Sequence, residues 1–416
     1  MTEITAHFCI VTPLFLGGAD NKSEAELRPA SIKGALRFWW RALRWGKGVT
    51  DVGELKKKED RLFGSSEVTE RKDATGKAMR EGGQAKFLLA LETQCQPTMI
   101  SADQILGASG KVSQGRQDIV GEGARYLGYG LMGAFGQNGG KLSRPCIAAP
   151  FEFTVRLAFK RSVGTTDIAE VADALKLLGL CGGLGSRSRR GWGSVTLTEI
   201  KDGMNQEVWR APKTLTEYET KIREIIGGQK NGLPEWTAFA AGHSRIVLLQ
   251  DKTNAPLETL AQMGRDFVLY RGWGHNGKVL GLPREGNFPF DHDLFKKTAP
   301  NRNTHPQRIV FGLPQNYGKT ERDQVVPAGE GLDRRASPLF FHVHQVEAND
   351  PPIGVLVYLP ARFLPAGKSM VTFGGRPIAI GQNGGIPFWQ PAENFLKRIK
   401  DGSDKVRFVK TMEAQL

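Results

Sequence analysis

"TTDIAEVADALKLLGLCGGLGSRSRRGWGSVTLTEI", residues 165–200, joins a helical pattern to a strand through a loop rich in glycine and arginine. Apolar residues recur at helical spacing at Ile168, Val171, Ala172, Leu175 and Leu178. Asp167 and Glu170 have the spacing of a capping box at the start of this helix. The β-branched run SVTLTEI after the loop predicts a strand. The stretch therefore predicts a helix–loop–strand unit.

The residues before this unit extend the pattern to a complete ferredoxin-like order. Strands are predicted at 4–12, 85–92 and 151–159, and a helix at 32–45 with Ser31 as its cap. With the helix and strand above, the order is β-α-β-β-α-β. A long glycine-rich insertion, from about 93 to 146, separates the two middle strands.

The second half repeats this order more weakly. Strands are predicted at 245–250, 337–346, 352–360 and 405–411, and helices at 256–270 and 393–400. A second insertion, rich in proline, glycine, asparagine and basic residues, covers about 272–336. The sequence thus predicts an α+β protein of two ferredoxin-like, RRM-like domains, at 1–205 and 241–416. A polar linker is expected at 206–240.

Charge is the clearest compositional signal. The 416 residues include 57 lysines and arginines against 43 acidic residues, a formal charge of +14, which favours polyanionic partners. The four cysteines are scattered without metal-site spacing, and the sequence shows neither a signal-peptide pattern nor a membrane-spanning apolar run. We therefore expect a cytoplasmic protein without disulfides, a metal or a small-molecule cofactor.

The first helix has one strongly basic stripe. Lys33, Arg37, Arg41 and Arg44 lie three or four residues apart, and no acidic residue occurs from 27 to 50. Most of the remaining surface of this helix is apolar, and Trp40, which borders the stripe, is expected to stack on an RNA base. The alternative is a buried helix whose one wet side happens to be basic. Because like charges at this spacing repel one another, we expect the stripe, extended by Arg28, to contact RNA phosphates.

The glycine–arginine loop has the composition of a second RNA contact. Glycines allow close backbone approach, arginines match phosphate oxygens, and an indole face can stack on a base. The bland alternative is an arginine-rich surface turn. The residues predicted to bind RNA in this loop are Gly183, Gly185, Arg187, Arg189, Arg190 and Trp192. We expect the loop and the basic stripe to face one common polynucleotide.

The other motifs are weaker evidence for a functional site. "GYGLMG" (128–133) and "GLPQNYGKT" (312–320) resemble nucleotide-binding motifs, but the first follows no buried strand and the second has the wrong spacing. His342 and His344 share one face of a strand without an evident third metal ligand. "DHD" at 291–293 is expected to be a solvated turn, and Asp20 to occupy a turn, although a catalytic role for Asp20 stays open.

Three segments resemble the RAMP superfamily. They are "TPLFLGGAD" (12–20) followed by "ELRPASIKGALRFWWRAL" (26–43), "GGLGSRSRRGWG" (182–193) and "RRASPLFFHV" (334–343). The first and third are similar to the family of subunits listed first in type III-B CRISPR Cmr effector complexes.

That resemblance implies two ferredoxin-like RAMP domains and a non-catalytic, RNA-binding role in antiviral defence. It implies a position near the 3′ end of the crRNA, contact with target RNA, and neighbouring RAMP subunits. Two alternatives stay open. One is a RAMP endoribonuclease, with Asp20 or a histidine such as His275 or His305 as its catalytic group. The other is a scaffold that touches RNA little.

Overall fold

The computed structural model describes most of the chain. The described residues are 2–18, 20, 22–72, 78–250, 253–293, 305–317, 324–329, 331–365, 370–373, 376–380, 386–402, 408 and 410–415.

Strands and helices alternate along the chain. The strands are β1 (Glu3–Ile10), β2 (Ser65–Lys72), β3 (Ala78–Gly83), β4 (Phe87–Glu92), β5 (Met99–Ile100), β6 (Cys146–Ile147), β7 (Phe151–Phe159), β8 (Val195–Asp202), β9 (Glu207–Arg210), β10 (Arg245–Gln250), β11 (Lys278–Val279), β12 (Leu282–Pro283), β13 (Gln315–Asn316), β14 (Gln324–Pro327), β15 (Leu339–His344), β16 (Ile353–Tyr358), β17 (Met370–Phe373), β18 (Arg376–Ala379) and β19 (Lys410–Gln415). The α-helices are α1 (Pro29–Gly46), α2 (Val52–Phe63), α3 (Glu122–Leu127), α4 (Thr165–Cys181), α5 (Leu215–Ile226), α6 (Pro256–Arg271), α7 (Pro289–Asp293) and α8 (Ile386–Asp401). Short 3₁₀ turns cover Arg116–Asp118, Gly136–Asn138 and Gln307–Phe311.

The first half folds around an antiparallel sheet with strand order β4-β7-β1-β8-β9. The four strands of the β-α-β-β-α-β unit lie in the order second, third, first, fourth, and β9 is added at the edge beside β8. This arrangement confirms the ferredoxin-like prediction for the first half.

The second half repeats the same topology. Its main sheet has the order β15-β16-β10-β19, again second, third, first, fourth, and all its pairs are antiparallel. Helices α6 and α8 are the two helices of this unit. The α+β fold of two ferredoxin-like units with long insertions is therefore confirmed. Most of the strand predicted at 405–411 lies outside the described residues. The described part consists of Phe408 and of the first two residues of β19.

Helices cover one face of the first sheet and both faces of the second sheet, because α1 and α4 pack between the two sheets and α6 and α8 cover the far side of the second. Strand β1 alternates buried and half-buried residues, whereas β15 and β16 are buried throughout. Ile246 and Val355 of the second sheet join the core that contains α1 and α4, while Val247 and Leu356 join the core that contains α6 and α8. The order of layers is therefore sheet, helices, sheet, helices, and the second sheet has no open face.

The first sheet keeps one solvated face. We call it the open sheet face, and it is lined by Thr5, His7, Arg156, Glu199 and Lys201. Its cations are paired: Arg156 lies 3.0 Å from Glu92, and Lys201 lies 2.9 Å from Glu199.

Both predicted helix caps are wrong. Helix α1 begins at Pro29 with Arg28 at the N-cap, so Ser31 lies inside the helix. A proline in the first turn needs no N–H partner, which lets the helix begin earlier. Helix α4 begins at Thr165 after Gly164, without a side-chain cap.

The segments outside the two units are folded as well. Residues 206–240, expected as a polar linker, contain β9 and α5, and Tyr218 and Ile222 of α5 are buried. The insertion at 93–146 packs α3 against α6 of the second half. A Cβ on Gly123 would lie 2.0 Å from the carbonyl oxygen of Ala261, so glycine allows the two helix backbones to touch.

Candidate nucleic-acid interface

The glycine–arginine loop fills the seam between the two halves. The amide of Phe341 donates to the carbonyl of Arg189 at 3.0 Å, and the amide of Val343 donates to Ser194 Oγ at 3.1 Å. The loop thus hydrogen-bonds to the free edge of β15. Gly185 has φ of +77°, and a Cβ there would lie 2.5 Å from the carbonyl oxygen of Phe15. The glycine is therefore needed for the loop to enter the seam.

Two loop residues expected to touch RNA are buried in this seam. The Arg190 guanidinium lies 5.2 Å from the Phe267 ring centroid and donates to the carbonyl of Phe311 at 3.4 Å. Trp192 is fully buried, and its Nε1 donates to the carbonyl of Ala124 at 3.2 Å. A buried indole has no free face, so the prediction that Trp192 stacks on a base is wrong. Arg190 is likewise a packing residue here.

The three arginines of the basic stripe on α1 bind two carboxylates, one from α4 and one from α2. Glu170 of α4 accepts from Trp40 Nε1 at 3.0 Å and from Arg44 Nη1 at 2.7 Å. Trp40 is 1% exposed, so its predicted stacking role is also wrong. Glu170, expected in a capping box, instead connects α1 to α4.

Arg37 and Arg41 bind a second carboxylate but keep part of their surface in solvent. Glu59 of α2 lies 3.3 Å from Arg37 Nη1 and 2.8 Å from Arg41 Nη1. Arg37 also donates to the carbonyls of Phe63 and Gly64. The side chains of Arg37 and Arg41 are 29% and 40% exposed, against 7% for Glu59. One buried carboxylate thus positions two partly exposed guanidinium groups.

These two arginines open into a cleft between the two halves, which we call the interdomain cleft. It has a volume of about 900 Å³ and lies between α1 and α2 on one side and residues 327–335 and 362–365 on the other. Arg189 of the glycine–arginine loop lines it too. The structure therefore brings Arg37, Arg41 and Arg189 to one cavity, as expected for a common ligand.

The cleft carries more positive than negative charge. Seven basic residues line it (Arg37, Arg41, Lys56, Arg189, Arg334, Arg335 and Arg362). Four acidic residues also line it, namely Glu59, Asp60, Glu67 and Glu235, and each is ion-paired to one of the seven. Within the described part of the chain, no carboxylate lies within 4.0 Å of Arg189 or Arg335.

Arg189 and Arg335 are the electrostatic centre of the cleft. Burial lowers the pKa of Arg189 to about 10, and burial together with the Arg189 charge lowers the pKa of Arg335 to about 10. The Arg189 guanidinium stacks 4.6 Å from Phe340 and 5.3 Å from Phe38, while its Nη1 is buried without a hydrogen-bond partner. Two neighbouring desolvated cations without a counter-ion favour an anionic ligand.

The other predicted residues surround this cleft. Lys33 shares a shallower depression of about 430 Å³ with Arg37, and Arg28 is half-buried at the start of α1. Gly183 and Gly185 line a pocket of about 240 Å³ that also contains Phe38 and Arg189. Because both cavities share residues with the interdomain cleft, Lys33, Gly183 and Gly185 border the same surface.

The histidines and Asp291 have structural partners. His342 Nδ1 lies 2.7 Å from the carbonyl of Gly182, and His344 Nε2 lies 2.9 Å from that of Pro212. Burial lowers the pKa of His342 to about 3 and that of His344 to about 4. Asp291 is fully buried and accepts from the amides of Gln307 and Arg308, so the expected solvated turn is wrong there. Asp20 is exposed and accepts from the amide of Lys22 in a turn.

Sequence reasoning missed the half of the cleft that comes from the second unit. Arg335 lies in the segment "RRASPLFFHV", which carried the resemblance but received no binding role. Trp236 also lines the cleft, packed edge-on against Trp45 with ring centroids 4.7 Å apart. Nothing in its local sequence, PEWTAFAA (234–241), distinguishes Trp236 from the buried Phe239 three residues later.

Among the described residues, no cluster of three or more histidine, cysteine, aspartate or glutamate side chains is placed to hold a metal ion. None of the helices in the described ranges combines the length and apolarity needed to cross a bilayer.

Comparison with known proteins finds a family match in the first half of the chain. Residues 8–91, which run from the end of β1 through α1 into β4, match the family model described as the RAMP superfamily. The predicted resemblance to RAMP proteins is therefore confirmed.

Within this class, the chain is similar to Cmr1 subunits. It is 45% identical over 56 residues to the CRISPR system Cmr subunit Cmr1-2 of Pyrococcus furiosus, an alignment that covers 14% of this chain and 29% of that protein. It is 23% identical over 348 residues to Cmr1-1 of the same organism, covering 83% of each chain. The crystal structure of apo Cmr1 from Pyrococcus furiosus matches over 95% of this chain and 97% of that one, with 20% identity and a TM-score of 0.52. That likeness supports the fold.

Proposed function

We propose that this protein is an RNA-binding subunit of a type III-B Cmr ribonucleoprotein complex and acts in the cytoplasm. Its ligands are the crRNA near its 3′ end and the target RNA, and its protein neighbours are other Cmr subunits with RAMP folds. The similarity to two Cmr1 subunits supports the complex.

The observation that carries the proposal is the uncompensated charge in the interdomain cleft. Arg189 and Arg335 come from different halves of the chain and lie side by side without a carboxylate within 4.0 Å in the described residues. A phosphate offers both of them several acceptor oxygens. Occupancy of the cleft by a polyanion would therefore relieve their mutual repulsion and satisfy Arg189 Nη1.

The shape and lining of the cleft favour a single strand. Phe38 and Trp236, both partly exposed, are interleaved with the arginines. Aromatic faces among cations are typical of sites that hold unpaired nucleotides. Gly183 and Gly185 extend this surface along the loop, where a backbone can approach closely.

Fluorescence anisotropy with a labelled single-stranded RNA tests the proposal. Each lost phosphate contact to a single strand reduces the slope of log K against log salt by about 0.7. We expect the Arg189→Ala/Arg335→Ala variant to bind more weakly, with a slope smaller by about 1.4. The matched control, Arg156→Ala/Lys201→Ala, removes two paired cations from the open sheet face and should change neither quantity. Equal losses in the two variants would contradict the assignment.

The same samples separate this role from an endoribonuclease. The labelled RNA should remain intact during incubation with the full chain, with or without Mg²⁺. Specific cleavage that disappears in an Asp20→Asn or His305→Ala variant would establish the enzyme instead.

A further inference from the structure

The rejected motif "GYGLMG" places an exposed aromatic ring beside basic residues. Tyr129, its second residue, is 67% exposed, a large fraction for a side chain of this size. Its backbone is well fixed: the amide of Tyr129 donates to the carbonyl of Tyr126 at 3.2 Å, and a Cβ on Gly128 would lie 2.8 Å from Trp192 Nε1. The ring therefore projects from a rigid support on the buried Trp192.

Arg187 lies close to Tyr129, and the charge of Arg144 acts on Arg187. Arg187 Nη2 is 3.6 Å from the position of a Cβ on Gly130, the residue after Tyr129. Ser143, which precedes Arg144, donates from its hydroxyl to the carbonyl of Gly130 at 3.0 Å. Two separate segments thus meet at the turn that carries Tyr129, one through the Arg187 guanidinium and the other through the Ser143 hydroxyl, one residue before Arg144.

The charges of this cluster are not neutralised within the chain. Considering the described residues alone, neither Arg187 nor Arg144 has a carboxylate within 4.0 Å. Desolvation lowers the pKa of Arg187, and the charges of Arg334 and Arg144 lower it further. Among the carboxylates of the described residues, Arg334 has Asp333 alone within reach, at 3.9 Å, and both side chains are more than 80% exposed.

The backbone conformation of Arg187 is also typical of a ligand-binding site. Its φ is +62°, in the left-handed region that non-glycine residues rarely adopt. Backbone strain of this kind persists where the surrounding structure enforces it, and it concentrates at ligand-binding sites. Here it directs the Arg187 side chain toward Gly130 and Tyr129.

We propose that Tyr129 stacks on an unpaired RNA base while Arg187 and Arg144 hold the flanking phosphates. The site rests on the proposed function and extends it, because Arg334 also lines the interdomain cleft and so connects the two. The strand that occupies the cleft continues past Arg334 and onto the insertion at 93–146. The insertion thereby adds an exposed aromatic ring beyond those of the interdomain cleft.

A single-stranded RNA that carries one 2-aminopurine tests this site, because stacking quenches the fluorescence of that base. The full-length Tyr129→Ala variant should lose the quenching and bind about 5- to 150-fold more weakly, the range for one stacked base. Its salt slope should equal that of the wild type. Tyr129→Phe should keep both quenching and affinity, and Phe290→Ala, which removes another exposed aromatic, should behave as wild type.

Arg187→Ala provides the second readout. It should reduce the salt slope by about 0.7 without abolishing the quenching. Binding of a blunt RNA duplex should be indifferent to Tyr129→Ala, since a paired base is not available for stacking.

The outcomes distinguish this site from the proposed function. If Tyr129→Ala binds single strands like the wild type while Arg189→Ala/Arg335→Ala is impaired, the stacking site is wrong and the cleft assignment stands. If the wild-type chain binds no single-stranded RNA, both are wrong. A thermal melt of each variant shows whether it is folded.

Discussion

Replacing Arg189 with methionine should make the free protein more stable and its RNA binding weaker. Methionine keeps an unbranched side chain of similar reach in the seam between Phe38 and Phe340, and it removes the charge. A residue retained for packing alone would give the opposite change in stability.

The expected magnitude follows from the surroundings of the guanidinium. Burial lowers the pKa of Arg189 from 12.5 to about 10. At about 1.4 kcal/mol per pKa unit, this corresponds to roughly 3 kcal/mol of unfavourable charge burial. The contacts with the rings at 4.6 and 5.3 Å offset about 2 kcal/mol of it. The free energy of unfolding should therefore rise by about 1 kcal/mol in Arg189→Met.

The affinity of Arg189→Met for RNA should fall, although its stability rises. A hydrogen bond to a charged group contributes about 1.5–3 kcal/mol, so its loss weakens binding by about 10- to 150-fold. Urea denaturation of the full chain measures the first quantity, and anisotropy with single-stranded RNA measures the second. Arg190→Met is the matched control, because Arg190 is an adjacent buried arginine outside the cleft, and its RNA affinity should stay at the wild-type value. A less stable Arg189→Met protein with unchanged RNA affinity would refute this reasoning.

Three further changes have defined outcomes. Glu59→Gln removes the counter-ion of two cleft arginines, so RNA affinity at low salt should rise several-fold while the free energy of unfolding falls by roughly 1–3 kcal/mol. The gain in RNA affinity should disappear at high salt. Weaker RNA binding by this variant would count against the cleft. Gly123→Ala places a Cβ 2.0 Å from the carbonyl oxygen of Ala261, so a lower melting temperature is expected, by the equivalent of about 1–3 kcal/mol; an unchanged melt would contradict the tight α3–α6 packing. His342 and His344 have pKa values of about 3 and about 4 when folded, against about 6.5 when unfolded. Between pH 6.5 and about 4 the unfolded chain therefore binds more protons, and stability falls as pH falls by up to about 1.4 kcal/mol per pH unit for each histidine. Urea titrations at several pH values should show that the free energy of unfolding falls less steeply with decreasing pH in His342→Gln/His344→Gln than in the wild type. Parallel pH dependences of the two proteins would contradict this prediction.

Much of the fold could be predicted because its periodicities are strong and local. The strands at 151–159 and 245–250 have the boundaries expected from their patterns, and α4 extends one residue beyond the expected end. The layering could not be read in the same way, because it depends on contacts between the two halves. Its one signal was α1, whose apolar residues cover most of the helix and pack toward both sheets. Helix α2 and strands β2 and β3 were missed because their sequences are polar.

The site was less predictable because its decisive partners are remote in sequence. The helical spacing correctly grouped Arg37 and Arg41. It could not reveal that Glu170, 126 residues beyond Arg44, binds that arginine. Nor could it reveal that Trp192 lies beneath the insertion at 93–146, since nothing local distinguishes a buried indole from a stacking one.

Photocrosslinking of the full chain to single-stranded RNA containing 4-thiouridine, with the modified peptides identified by mass spectrometry, tests the central claim most directly. The account predicts nucleotide adducts on peptides that line the interdomain cleft, above all those containing Phe38 and Trp236. Adducts confined to the open sheet face, on the peptides of Thr5 and Lys201, would contradict it.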